Sequence, residues 1–226
     1  MSIIEIKNLK FAYEENSSRY ILNDVTFNIE KGEVTGIIGL SGCGKSTLCQ
    51  IIAGIIPNCI FGEISGEVIV DSIDISEVAL SELAQEVGFV MQDPDRQIIT
   101  QTVEDELAFG AENLCVAPKE IRERVDSVME LLGISHMAEM DPSNLSGGEK
   151  QLVAIGSVLT MKPKIIILDE PFSHLDEEGK DLIRKTIDSL SKKGKTIIVV
   201  DHDYKTAGIF NKMLWLEEGK ISEHKG

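Results

Sequence analysis

A turn with one lysine among its glycines, Gly39-Leu40-Ser41-Gly42-Cys43-Gly44-Lys45-Ser46, fits the pattern G-x-x-x-x-G-K-S/T. The chemistry this spacing serves is anion binding. The glycines let successive backbone N–H groups point inward at one anion, and the positive end of a following helix faces the same point. Lys45 is spaced to reach the β and γ phosphates of a nucleotide, Ser46 to ligate Mg²⁺ through its hydroxyl, and Thr47 to assist at the α phosphate. Taken alone, the pattern leaves kinases, GTPases and many ATPases open.

Two further groups narrow the choice. Ile165 to Glu170, IIILDE, is an apolar run closed by two carboxylates. Asp169 is expected to emerge beside the phosphate loop and hold the Mg²⁺ shell through Ser46 or water. Glu170 is expected to face the terminal phosphate without a cation partner, next to an attacking water, which suits a general base. Asn144 to Gln151, NLSGGEKQ, then places Ser146, Gly147 and Gly148 at the mouth of a helix, a second set of exposed N–H groups at a positive dipole end. The first loop already surrounds one γ phosphate. A second anion loop makes sense if it serves a nucleotide bound by another subunit.

These groups need a scaffold of strands and helices to hold them. Short β-rich runs open the chain: IIEIKNLKFAY, VTFNIE and EVTGIIG, the last two joined by Lys31-Gly32, and GEISGEVIVD reads as a further strand pair. Residues 118 to 132 put Ile121, Val125, Val128, Met129 and Leu132 on one helical face, with Pro118 suited to the first position. From residue 147 onward the pattern alternates: helix GEKQLVAIGSVLTM, buried strand KIIILD, helix 177 to 192, strand KTIIVV, and KMLWLEEGKIS as a closing hairpin. Solid apolar strands alternating with helices predict an α/β fold whose mainly parallel sheet carries helices on both faces. A helical insertion, residues 93 to 160, is expected to form a second lobe on a core made of 1–92 and 161–226, within one domain.

Composition excludes several classes. The 226 residues and 42% apolar content suffice for a packed core. The formal charge is 22 − 38 = −16, which argues against a broad grip on nucleic acid. No apolar run reaches the roughly 18 to 20 residues that cross a bilayer, and the N-terminus has no signal-peptide layout, so a soluble chain is expected. Cys43, Cys49, Cys59 and Cys115 form no CxxC pair, so unpaired thiols in a reducing compartment are expected rather than a zinc site.

With GLSGCGKS, Gln92, LSGGE, IIILDE and His202 in this order, the sequence resembles the ATP-binding subunit of ABC transporters over essentially its whole length. The resemblance implies an ATPase of the P-loop type with an N-terminal antiparallel β subdomain and a helical lobe. It also implies ATP and Mg²⁺ as cofactors, and a head-to-tail dimer in which each LSGGE closes over ATP held by the other subunit's Gly39–Ser46 loop. Matched by position, Tyr13 is similar to the aromatic that stacks on adenine, with Tyr20 as a rival. Gln92 resembles the glutamine that senses Mg²⁺ and water, His202 the histidine that contacts the γ phosphate, and Asp176 the aspartate that touches the opposite subunit.

The stretch QDPDRQIITQTVEDELAFGAENL is similar to the energy-coupling factor branch, with its QxPDxQ pattern and T-V-E segment. About 50 residues from Asp93 to Asn144 leave no room for the long coiled-coil arm of SMC-type ATPases. This branch implies two ATPases, homodimeric or heterodimeric, with a transmembrane T subunit and an S subunit that captures a vitamin or transition-metal ion. No nucleic-acid partner is implied, and the location is the cytoplasmic face of the membrane. An ATPase of another ABC transporter, or a soluble ABC mechanoenzyme, is the alternative. Leu152, Glu149 and Phe172-Ser173-His174 depart from common residues at their positions, which bears on how well this copy's second loop works. The chain also ends soon after His202, where relatives often carry a further C-terminal segment.

Overall fold

The computed structural model describes residues 1–14, 19–173, 175–202 and 208–224. Its elements, in chain order, are β1 (Ser2–Ala12), β2 (Leu22–Glu30), β3 (Val34–Ile38), α1 (Lys45–Ile52), the short α2 (Ile55–Asn58), β4 (Glu63–Val70), β5 (Ile73–Asp74), α3 (Leu80–Glu86) and β6 (Val87–Val90). Then come α4 (Val103–Asn113), α5 (Pro118–Leu132), α6 (Gly147–Leu159), β7 (Ile165–Asp169), α7 (Glu177–Lys192), β8 (Thr196–Asp201), β9 (Lys212–Glu217) and β10 (Lys220–His224).

Two sheets carry the strands. One is antiparallel, in the order β2-β1-β4-β5, and the other runs β10-β9-β3-β8-β7-β6. In the second sheet every pair is parallel except the β9–β10 hairpin. The continuous apolar strands follow from burial on both faces. Ile165 and Ile167 of β7 face the core shared with the antiparallel sheet and α1, while Ile166 and Leu168 face the core under α4, α5 and α6. Strand β8 divides the same way, Ile198 and Val200 against Ile197 and Val199. With β3, β8 and β7 adjacent and parallel, the chain leaves all three at one edge, where ligands of open α/β sheets bind.

Helix α5 buries the five apolar residues its periodicity names, and Gly133 ends it in the left-handed conformation. One expectation changes. GEISGEVIVD is one strand, β4, rather than a pair; its partners are β1 and the short β5. The glycine that looks like a turn, Gly66, has φ +100 and lies where a Cβ would meet the Asn8 carbonyl oxygen at 2.6 Å, so it marks a bulge against β1. Strands β2 and β3 are joined by the turn at Lys31-Gly32, as the sequence suggests, and belong to different sheets.

Candidate functional site

The phosphate loop joins β3 to α1. Gly44, at φ +105, caps α1 without any side-chain hydrogen bond, and the first turn of α1 holds no acidic residue. Among the described residues no side chain caps the helix's first N–H groups, and its positive end is undiminished. Gly39 is required by close approach, because a Cβ there would lie 2.3 Å from the Leu216 carbonyl oxygen and 2.8 Å from Cys43 Sγ. Lys45 is buried, and its Nζ donates to the carbonyls of Gly39 (2.9 Å) and Leu40 (3.0 Å), folding the cation over the cradle formed by the loop. A cleft of about 790 Å³ runs from this loop past Tyr20 and Ile21 to Trp215, with His202 on its wall.

Tyr13 and Tyr20 are both brought to the loop, on different terms. Tyr13 is 47% exposed, its hydroxyl is 2.8 Å from Thr47 Oγ1, and its ring meets Phe11 edge-on at 4.9 Å. Tyr20 lines the cleft.

Asp169, at the end of β7, is 5% exposed. Burial raises its carboxyl above the ordinary value, opposed by a hydrogen bond from the Ser46 hydroxyl. Its Oδ1 has no hydrogen-bond partner among the described residues. A buried, unpartnered carboxylate oxygen beside an exposed serine hydroxyl is the hard-oxygen pair that suits Mg²⁺.

Glu170 gathers the rest. Its backbone takes φ +47, outside the ordinary range for a side chain of this size, with its N–H held by Val200. Its Oε2 accepts from Gln92 Nε2 at 3.0 Å and from Ser173 Oγ at 3.1 Å, with His202 Nδ1 at 3.5 Å. The expectation that Glu170 lacks a cation partner is corrected: Lys45 Nζ lies 4.0 Å from its Oε1. The contact arises because the ends of β3 and β7 converge with only β8 between them. Ser173 was not singled out as a site residue; its place three residues after Glu170, a turn-forming spacing, was the available signal. His174 lies outside the described residues.

The second loop sits elsewhere. Ser146 caps α6 in a reciprocal box: Glu149 N–H donates to Ser146 Oγ, and Glu149 Oε2 accepts from Ser146 N–H (2.8 Å) and Oγ (2.7 Å). These bonds hold the Glu149 carboxyl below its usual range. Asp176 caps α7 by accepting from Gly179 N–H at 2.8 Å. Ser146, Gly147, Gly148 and Asp176 line one cleft of about 570 Å³ that shares no lining residue with the cleft beside the phosphate loop. The fold thus gathers Lys45, Ser46, Gln92, Asp169, Glu170 and His202 at one edge and leaves the second anion loop outside that cluster.

The profile described as ABC transporter matches residues 22–173, which contain both loops and the Asp169-Glu170 pair. The chain belongs to the ABC transporter family. It is 39% identical over 220 residues to the energy-coupling factor transporter ATP-binding protein EcfA1 of Streptococcus thermophilus, covering 97% of this chain and 78% of that protein. Among solved structures, CbiO1 of Clostridium perfringens, described as part of the ABC transporter complex CbiONQ, superposes with a TM-score of 0.87 at 36% identity, covering 98% of this chain and 87% of the other. The cassette MJ0796, solved as a dimer bound to ADP and phosphate, gives 0.83 at 28% identity, with 99% of each chain covered. This chain is accordingly an ATP-binding, ATP-hydrolysing subunit of an ABC transporter. No helix among the described residues is long and apolar enough to cross a membrane.

Proposed function

We propose that this ATPase powers an importer of the energy-coupling factor type, one of two ATPase subunits on the cytoplasmic face of the membrane, bound to a T-type transmembrane subunit and an S subunit that captures a vitamin or transition-metal ion. The observation that carries this reading is the separation of two anion-cradling helix ends on one chain, only one of which has the Glu170 cluster. Two chains set head to tail satisfy both, with the Ser146–Gly148 loop of each completing the Gly39–Ser46 site of the other. The likeness to EcfA1 and CbiO1 supports the branch.

In this reading the chain acts as one domain, a nucleotide-binding core with a helical lobe at 93–160. The loop N–H groups of Ser41 to Thr47 bind the phosphates, and Tyr13 stacks on the adenine while its hydroxyl stays tied to Thr47. Ser46, Asp169 and Gln92 would hold Mg²⁺, whose chemistry there would be to neutralise charge on the phosphate oxygens. Glu170 takes a proton from water as the water oxygen bonds to the γ phosphorus and the bond to the ADP oxygen breaks. Lys45 and His202 donate toward the oxygens where negative charge grows, and the low exposure of Lys45 strengthens its interaction. Asp176 faces the neighbouring subunit.

Purifying the tagged chain from its native membranes and identifying its companions by mass spectrometry tests the proposal. A polytopic membrane protein and an ATPase subunit are expected. Recovery with ribosomes or nucleic acid, and no membrane protein, would refute it.

A further inference from the structure

Between the Glu170 cluster and the second anion loop lies a cleft of about 620 Å³, with Gln92 and Asp95 on one side and Gly147, Lys150 and Gln151 on the other. Two side-chain bridges tie the sides together. Lys150 Nζ donates to Asp95 Oδ1 at 2.7 Å. Gln97 accepts from Met91 N–H through Oε1 at 2.9 Å and donates through Nε2 to the Ala154 carbonyl at 3.3 Å. Lys150 and Ala154 are four residues apart and so share one face of α6, one turn apart.

The tied segment is itself stiff. Asp93 accepts the Asp95 and Arg96 N–H groups, and Pro94 O accepts those of Gln97 and Ile98. The buried carboxylate of Glu106 holds the Ile99 and Thr100 N–H groups. Residues 91 to 100 thus ride with the helical lobe, while Gln92 at their start is bonded to Glu170 of the core. Gln151, which lines the cleft together with Ser173 and Leu175, is 3% exposed, and its Nε2 has no partner among the described residues. An unpaired buried donor is costly in this arrangement of α6.

We propose that the Lys150–Asp95 and Gln97–Ala154 bridges form a two-point staple that makes Gln92 move with the Ser146 helix, so that nucleotide held by a neighbouring subunit on this chain's second loop sets how Gln92 engages Glu170 at this chain's own nucleotide. Gln97, Asp95 and Lys150 are then positioning residues that couple two composite sites. The inference rests on the head-to-tail pairing proposed above.

The test is steady-state ATP hydrolysis by the assembled transporter as a function of ATP concentration. The parent complex is expected to be cooperative, with a Hill coefficient above 1. Gln97→Ala and Lys150→Ala should each bring it to about 1 with Tm kept within a few degrees, and the exchange Asp95→Lys with Lys150→Asp should restore it relative to Lys150→Ala. A parent coefficient of 1, cooperativity retained in both single variants, or an exchange no better than Lys150→Ala would overturn the staple while leaving the transporter reading intact. Complete absence of hydrolysis in the parent complex would instead refute the motor reading and the staple with it.

Discussion

Replacing Glu170 by glutamine isolates the proton-accepting role from everything else the residue does. The two side chains have nearly the same shape, and a glutamine carbonyl oxygen can still accept from Gln92 and Ser173 in place of Oε2. Lys45 keeps both of its loop carbonyls when the Glu170 charge is removed. Folding and ATP binding should therefore survive, and affinity should hold or rise because a negative charge has left the edge where the γ phosphate is placed. What disappears is a base. General-base catalysis contributes typically about 10²–10⁴-fold, and each tenfold corresponds to 1.36 kcal/mol, so the barrier should rise by about 2.7–5.4 kcal/mol. Phosphate release under saturating ATP measures the turnover, and equilibrium ATP binding with a thermal melt controls for the fold. Turnover of Glu170→Gln within threefold of the parent, at equal affinity and Tm, would refute the general-base assignment.

Lys45→Ala should weaken ATP affinity by at least about tenfold, since it removes a buried cation aimed at phosphate; equilibrium binding reads this, and unchanged affinity would contradict the loop's role. Gly39→Ala should cost about 1–3 kcal/mol and lower Tm by roughly 2–12 °C, because its Cβ must displace the Leu216 carbonyl oxygen. Asp169→Asn separates stability from function. The folded-state carboxyl titrates above its ordinary value of 3.8, so burial penalises the charged form as pH rises through that window. At pH 7 without nucleotide the variant should melt higher than the parent, with the gap closing as pH falls toward 3.8, while Mg²⁺-dependent hydrolysis is lost. If Tyr13 stacks on the adenine as proposed, Tyr13→Phe should raise the KM for ATP less than Tyr13→Ala does, because the phenyl ring keeps the stacking face and gives up only the bond to Thr47.

Much of this was legible in the residues, for local reasons. The phosphate loop, the Asp169-Glu170 pair and the five buried positions of α5 depend on short-range spacing, turn glycines and helical period, which one chain segment carries by itself. The apolar strands could be read as buried because both their faces are covered, leaving no polar alternation to confuse them with exposed strands.

Tertiary structure alone decided what distant segments do to one another. No local pattern announces that Gly66 is a bulge against Asn8 rather than a turn, since a glycine at positive φ serves either purpose. Lys45 meets Glu170 across 125 positions of sequence only because strand order sets β8 alone between β3 and β7. Gln97 likewise reaches Ala154 only because α6 packs against the segment after β6. Spacing along a chain specifies the chemistry a loop can perform, whereas the partners of its side chains are chosen by the order in which strands and helices pack.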